Sequence, residues 1–373
     1  MVSSLLYLGL FASLAKAGNF TAPPPTGPYT VGTTNIEIVD SSRQDPYAPT
    51  PKPRDLVAAL YYPVGAAAYP GPRAECKHAI QFTPAVASFY EKTTPGVPSG
   101  ILQNIVTQAC VDAPLTQPQL PVLIFSPGLG GSKYLYSDTL VEIASYGWNI
   151  VAIDHPYETG IVQYPDGRIV YAVNASISNT VANVDIRAAD MISVLNALSN
   201  STVTNKIPGL KTRLRTDKVG VYGHSLGGAT ALRVTANDTR FVAGSNLDGS
   251  FQGTSVQLGT DAPFFVFAAQ SHNRTNDASW AEGWNNLRGF KREYAITGVE
   301  HNNFLDVPLL RQFYGSAFPP DAAQPLGPLN GTRGMAIQRA YLNSFFQRFL
   351  KGVNDGLMDG VGDDKYPEVY VGV

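Results

Sequence analysis

Charge is scarce in this chain: only 15% of its 373 residues are charged, and they balance to a net charge of −2. No basic block and no basic stripe interleaved with aromatics occurs, which argues against nucleic acid as a partner. No internal repeat is visible, so the expectation is one catalytic domain over residues 18–373 rather than an array. Long apolar runs are missing too. The stretch Leu5 to Leu14 is too short for a permanent bilayer span, and Ala15-Lys16-Ala17 follows it as a small-x-small cleavage pattern. Residues 1–17 read as a secretory signal peptide, although no Lys or Arg precedes the apolar run. With no second such run, the mature chain is expected to be soluble and secreted.

Cysteine is almost absent: Cys76 and Cys110 are the only two. In a secreted chain an isolated pair forms one disulfide, here closing a loop of about 35 residues, with two free buried thiols as the alternative. Metal binding is not expected, because Cys76-Lys77-His78 has no further Cys or His at zinc spacing, and no cofactor is expected. Six N-x-Ser/Thr sequons, at Asn19, Asn174, Asn200, Asn237, Asn273 and Asn330, together support passage through a eukaryotic secretory pathway.

Against these absences stands Val219-Gly220-Val221-Tyr222-Gly223-His224-Ser225-Leu226-Gly227-Gly228-Ala229-Thr230. It reads as an apolar strand turning through a glycine-flanked serine into a helix. A serine hydroxyl is a weak nucleophile and needs exposure on a sharp turn and a base to take its proton. Gly223 and Gly227 remove the β-carbons that would clash where strand and helix approach. The helix start at Leu226 aims a free backbone N–H at the serine, where it can hold an oxyanion.

Around this motif, strands and helices alternate. Asn35 to Val39 and Leu56 to Tyr62 read as strands, with an extended leader before them. Residues 64–120, broken by prolines, read as an insertion in which Ile101, Leu102, Ile105 and Val106 share one face of a short helix, either a satellite core or a lid. Strands follow at Pro121 to Phe125, Trp148 to Ile153, Phe241 to Leu247, Pro263 to Ala268 and Glu293 to Ile296. Helices are expected near Thr139 to Ala144, Asn183 to Leu198 and Met335 to Leu350. Asp166-Gly167 marks a hairpin. The alternation argues for an α/β protein with a mainly parallel central sheet and helices on both faces. The Gly- and Asp-rich tail, 355–373, is expected to be flexible.

The chemistry needs a base and an acid C-terminal to Ser225. His301, after the strand ending at Ile296 and a Gly-containing loop, is the expected base, with His272 in reserve; His78 and His155 precede the elbow, and His224 points away from its neighbour. Asp248, at the carboxyl end of Phe241 to Leu247, is the expected acid, holding His301 in the tautomer that accepts the Ser225 proton. Asp277, Glu300 and Asp306 are alternatives, and Asp248 has a blander reading as a cap or turn residue. The second oxyanion donor is expected to be the backbone N–H of Leu129, in the loop Ser126-Pro127-Gly128-Leu129-Gly130-Gly131.

These motifs together resemble the secreted (type II) platelet-activating-factor acetylhydrolases. The resemblance rests on Gly223-His224-Ser225-Leu226-Gly227-Gly228-Ala229-Thr230, Asp248, His301-Asn302-Asn303-Phe304, and Gly128-Leu129-Gly130 with Tyr134-Leu135-Tyr136-Ser137. It covers about Gly27 to Pro63 and Pro121 to Phe304. It implies the α/β-hydrolase fold and hydrolysis of short sn-2 acyl groups, acetyl among them, from phospholipids. The implied partner is a small lipid or short-chain ester, met through transient lipid-surface contact and with no stable protein partner. One departure is Pro127-Gly128, where that family usually has His-Gly; a Ser-Pro-Gly loop is seen in cutinase-like polyester hydrolases. Those enzymes take their acid from the loop after the next strand, here Gln270 to Asn273, which holds no carboxylate. A polyester hydrolase or lipase with the same triad is therefore the first rival, and an inactive binding module of the same fold the second.

Overall fold

The computed structural model describes residues 20–65, 76–315 and 325–372. The expected signal peptide and the sequon at Asn19 lie outside the described residues. The strands are β1 (Phe20–Thr21), β2 (Thr30–Gln44), β3 (Pro53–Val64), β4 (His78–Ile80), β5 (Ile105–Val111), β6 (Pro121–Ser126), β7 (Asn149–Asp154), β8 (Ile161–Gln163), β9 (Ile169–Tyr171), β10 (Arg215–His224), β11 (Phe241–Leu247), β12 (Phe264–Ala269), β13 (Lys291–Ile296) and β14 (Val369–Val371).

The main sheet runs β1-β5-β2-β3-β7-β6-β10-β11-β12-β13-β14, with β4 paired to β5. The central block from β7 to β13 is parallel throughout, whereas β2–β3, β3–β7 and β13–β14 are antiparallel. Strands β6, β7 and β12 are buried at every residue, because helices cover both faces and no side of the pleat meets water. On one face the helices Thr180–Ala197 and Leu226–Asn237 bring Met191, Leu195 and Leu232 into one core with Ile124, Val151 and Val221. On the other, Ser137–Ala144 and Gly331–Phe346 bring Leu140, Phe345 and Phe346 together with Phe125, Ile150 and Phe265. This is the mainly parallel, doubly covered sheet of the α/β-hydrolase class. Its parallel strands end on one side in the loops after Ser126, His224, Leu247, Ala269 and Ile296, the side on which ligands gather in such sheets.

Two expectations need correction. Residues 64–120 are not simply inserted: β5 joins the main sheet beside β2, and the helix expected around Ile101 to Val106 is one 3₁₀ turn, Leu102–Asn104, leading into that strand. β-branched Ile105, Val106 and Thr107 favour the extended backbone over a helix. Cys76 and Cys110 are joined in a disulfide, next to the β4–β5 pairing of His78 with Cys110. Phe82, Val86, Ile101, Leu102 and Ile105 do form a satellite core, in agreement with one of the two readings. The tail is likewise not free, because β14 closes the sheet edge against β13 and Tyr370 donates its hydroxyl to the Gln270 carbonyl.

Candidate active site

Ser225 sits between β10 and the helix Leu226–Asn237 with φ 56° and ψ −123°, a positive-φ backbone that a non-glycine residue occupies only under constraint. The constraint is visible. A β-carbon at Gly227 would overlap the Ser126 carbonyl, and one at Gly249 would overlap the Ser225 carbonyl. The Ser225 N–H donates to the Leu247 carbonyl at 2.8 Å, which ties the elbow to the strand that ends at Asp248. Asp248 is itself at φ 59°, so both turns at this end of the sheet hold strained side-chain-bearing residues.

Asp248 is buried and accepts three hydrogen bonds: from His301 Nδ1 at 2.6 Å on Oδ2, and from His272 Nδ1 at 2.9 Å and the Ala269 N–H at 2.7 Å on Oδ1. Burial alone would raise its pKa, but the donors from His272 and His301 hold it down at about 2. It is therefore an ionised acceptor near neutral pH. With Nδ1 committed to Asp248, Nε2 of His301 is the nitrogen that can take a proton.

His224 lies under this pair. Its Nδ1 bonds the Tyr136 hydroxyl at 2.9 Å and its Nε2 the His301 carbonyl at 3.0 Å, and its ring lies 4.5 Å from the His301 ring between centroids. Burial, and then the neighbouring His301, lower its pKa to about 3, so it stays neutral and braces the His301 loop. Gly128 packs against the same group: a β-carbon there would stand 3.4 Å from Ser225 Cβ and 3.3 Å from His224 Nδ1. This brings the backbone of Leu129 to the serine. Neither the Leu129 nor the Leu226 N–H has a hydrogen-bond partner among the described residues, so two donors remain free beside Ser225, as an oxyanion hole needs.

The loop carrying Leu129 is held from below by buried charge. Arg187 donates to the carbonyls of Pro127 (2.6 Å) and Gly128 (3.1 Å), to Ser126 Oγ (3.1 Å) and to Glu158 (2.6 Å). Ser126 Oγ also lies 2.9 Å from His155 Nε2, and His155 Nδ1 lies 2.9 Å from Asp190. Serine, histidine and aspartate are thus connected as in a catalytic triad, but all three are wholly buried. Burial, then the Arg187 charge, lowers the His155 pKa. This second set is structural, and it fixes the end of β6.

The remaining candidates have other tasks. Asp277 accepts from the N–H groups of Ser279 and Trp280 at the start of the helix Ala278–Trp284. Glu300 forms a capping box with Asn303. Asp306 accepts from the N–H groups of Asp138 and Thr139 at the start of Ser137–Ala144. His272, the reserve base, has both ring nitrogens bonded to carboxylates, Nδ1 to Asp248 and Nε2 to Asp277, which leaves neither free to accept a proton. Sequence reasoning missed that pairing, along with the His224 brace. The available signal was that His272 occupies the loop from which cutinase-like enzymes take their acid. Of the described sequons, Asn174, Asn200, Asn237 and Asn330 are exposed and Asn273 is half-buried. Among the described residues, no group of three or more His, Cys, Asp or Glu side chains could hold a metal ion.

A strained elbow serine at the end of a parallel sheet, preceded by His224 whose ring lies 4.5 Å from that of the carboxylate-bound His301, fits a serine hydrolase of the α/β-hydrolase fold. The chain belongs to the family "Platelet-activating factor acetylhydrolase, isoform II", whose sequence model matches residues 14–315. It is 28% identical over 386 residues to an Arthroderma benhamiae protein named "Probable 1-alkyl-2-acetylglycerophosphocholine esterase", covering 94% of this chain and 93% of that one. It is 27% identical over 322 residues to a Cavia porcellus "Platelet-activating factor acetylhydrolase", covering 79% of this chain and 70% of that protein. The solved ferulic acid esterase of Streptomyces cinnamoneus superposes with a TM-score of 0.79 at 29% identity, covering 95% of this chain and 99% of that one. Membership in a family of named esterases favours an ester hydrolase over the inactive-module rival.

Proposed function

We propose that the protein hydrolyses short sn-2 acyl esters, acetyl among them, of ether or ester phospholipids, with Ser225, His301 and Asp248 as its catalytic residues. The observation that carries the site assignment is the 2.6 Å bond from His301 to an ionised Asp248 at the strand end beside the elbow. The substrate class rests on the family and on the names of its esterase members.

Ser225 Oγ attacks the ester carbonyl carbon and its proton passes to His301 Nε2. The carbonyl oxygen becomes an oxyanion held by the Leu129 and Leu226 N–H groups. Collapse breaks the bond to the glycerol oxygen, which leaves with the proton from His301 as a lysophospholipid. Water then attacks acyl-Ser225, giving its proton to His301, and the carboxylic acid departs as the proton returns to Ser225 Oγ. Leu129, Ile177 and Val181 expose apolar surface. That supports transient contact with a lipid surface. Secretion is supported by the Cys76–Cys110 disulfide and by the exposed sequons.

A second reading, an esterase for aromatic or polymeric esters, is favoured by the Ser126-Pro127-Gly128 loop and the similarity to a ferulic acid esterase. An acyl-chain series on phosphocholine esters, with Ser225→Ala as control and a feruloyl ester alongside, separates the two. Acetyl and other short chains should turn over fastest; preference for acyl chains beyond about eight carbons, or for the aromatic ester, overturns the phospholipid reading.

A further inference from the structure

His272 is not part of the expected triad, yet it is the most completely engaged side chain beside it. Its Nδ1 bonds Asp248 Oδ1 at 2.9 Å and its Nε2 bonds Asp277 Oδ2 at 2.8 Å. Its ring stacks on Trp280 at 3.9 Å between centroids. Each partner is itself held. Asp277 caps the helix Ala278–Trp284 and accepts from Ser250 Oγ at 2.5 Å. Trp280 is buried and donates its indole N–H to the Gly249 carbonyl at 2.7 Å, next to Asp248. The outcome is a continuous chain, Asp277–His272–Asp248–His301, ending at the proposed base.

We propose that His272 is a positioning residue for ester hydrolysis: it clamps one carboxylate oxygen of Asp248 and thereby aims the other at His301. The proposal rests on the triad reading above. An aspartate carboxylate left to itself rotates about its last torsion. Here that torsion is fixed from one side by the Ala269 N–H and His272, so Oδ2 alone is left for His301. Two carboxylates can be bridged only while both ring nitrogens carry protons. Burial opposes that state, but the hydrogen bonds to Asp248 and Asp277 and their charges outweigh it and raise the His272 pKa to about 9. The other titratable groups near the ring are His301, beyond Asp248, and Glu293, which is paired with Arg274 at 2.5 Å. When His272 loses a proton it keeps one donor for two carboxylates, and one contact must break. The sign follows: the clamp is complete at neutral pH and lost as pH rises through about 9.

The test is kcat and KM across pH for the full-length protein and for His272→Gln and Asp277→Asn. Active sites are counted with an organophosphonate, and folding is followed by circular dichroism. The wild type should show an alkaline limb near pH 9. His272→Gln should lose that limb and lower kcat by about tenfold to a hundredfold with little change in KM, the scale expected when a catalytic group is misaimed. Asp277→Asn removes one of the two raising charges, so its limb should move to lower pH; this variant carries the test if His272→Gln does not fold. A His272→Gln enzyme with wild-type kcat per titrated site, or one that keeps the limb, overturns the clamp. If the phosphonate fails to label wild-type Ser225, the triad reading falls instead.

Discussion

The sharpest consequence of this arrangement concerns Asp248→Asn. The substituted amide has one acceptor oxygen and one NH₂ group, and their placement is dictated by neighbours. The Oδ1 position faces two donors, the Ala269 N–H at 2.7 Å and His272 Nδ1 at 2.9 Å. Placing NH₂ there would set donors against donors in a buried site, so the amide oxygen must occupy it. The NH₂ then faces His301 Nδ1 at what was a 2.6 Å contact and can only donate to it. His301 is driven into the tautomer with its proton on Nε2, which cannot accept the Ser225 proton. The loss expected for a wrong-tautomer triad is about 10⁴-fold in kcat, or about 5.5 kcal/mol on the barrier. Shape is conserved, so KM should change little, while the melting temperature at neutral pH should fall, because the lowered Asp248 pKa marks a charge that stabilises the fold. The assay is turnover of a chromogenic acetyl ester per phosphonate-titrated site. A loss of less than about tenfold would refute the reasoning, because no orientation of the substituted amide satisfies both histidines as the Asp248 carboxylate does.

Two further perturbations probe the frame around the site. Arg187→Met leaves Glu158 buried without its cation and the Pro127 and Gly128 carbonyls without their donor. The expected destabilisation is about 3–5 kcal/mol in urea unfolding, with kcat falling as the Leu129 loop loosens; an unchanged urea midpoint would contradict the assigned role. Asp138 and Asp306 form a buried acidic pair in which both Asp138 oxygens lack partners, and burial raises both pKa values. Their contribution is complete below the ordinary carboxylate range and is lost as pH rises through the raised values. Asp138→Asn, which never ionises, should therefore raise the melting temperature at about pH 8 and change little at about pH 4, and a shift of the opposite sign would count against the pair.

Much of the frame was legible in the chain. The β6, β7, β11 and β12 segments are short apolar runs whose limits come close to those expected, because buried parallel strands need little else, whereas β10 begins four residues before the apolar run at Val219, in the polar Arg215 to Lys218. The elbow was legible because its glycines are required by local crowding. The order Ser225, Asp248, His301 follows from strands laid down in sequence along a sheet. Where the reading failed, the deciding contact was remote. Ile101 to Val106 carries apolar spacing that suits a helix as well as a strand, and only pairing of Ile105 and Val106 with β1 and β4 chooses between them. The tail shows turn formers and no strong periodicity, and only the β13 edge, open until the tail pairs with it, explains its strand.

The sequence by itself determined the elbow serine, the order of its candidate partners and the fold class, since each depends on residue type and spacing over a few positions. Tertiary structure decided which groups each histidine meets. Ser126, His155 and Asp190 have the residue types and mutual contacts of a triad, and burial alone makes them structural. His272 and Asp248 are 24 residues apart and meet because β11 and β12 end side by side. A side chain's chemistry is carried by its type, but its task is set by exposure and by the neighbours that folding delivers, and neither is a local property of the chain.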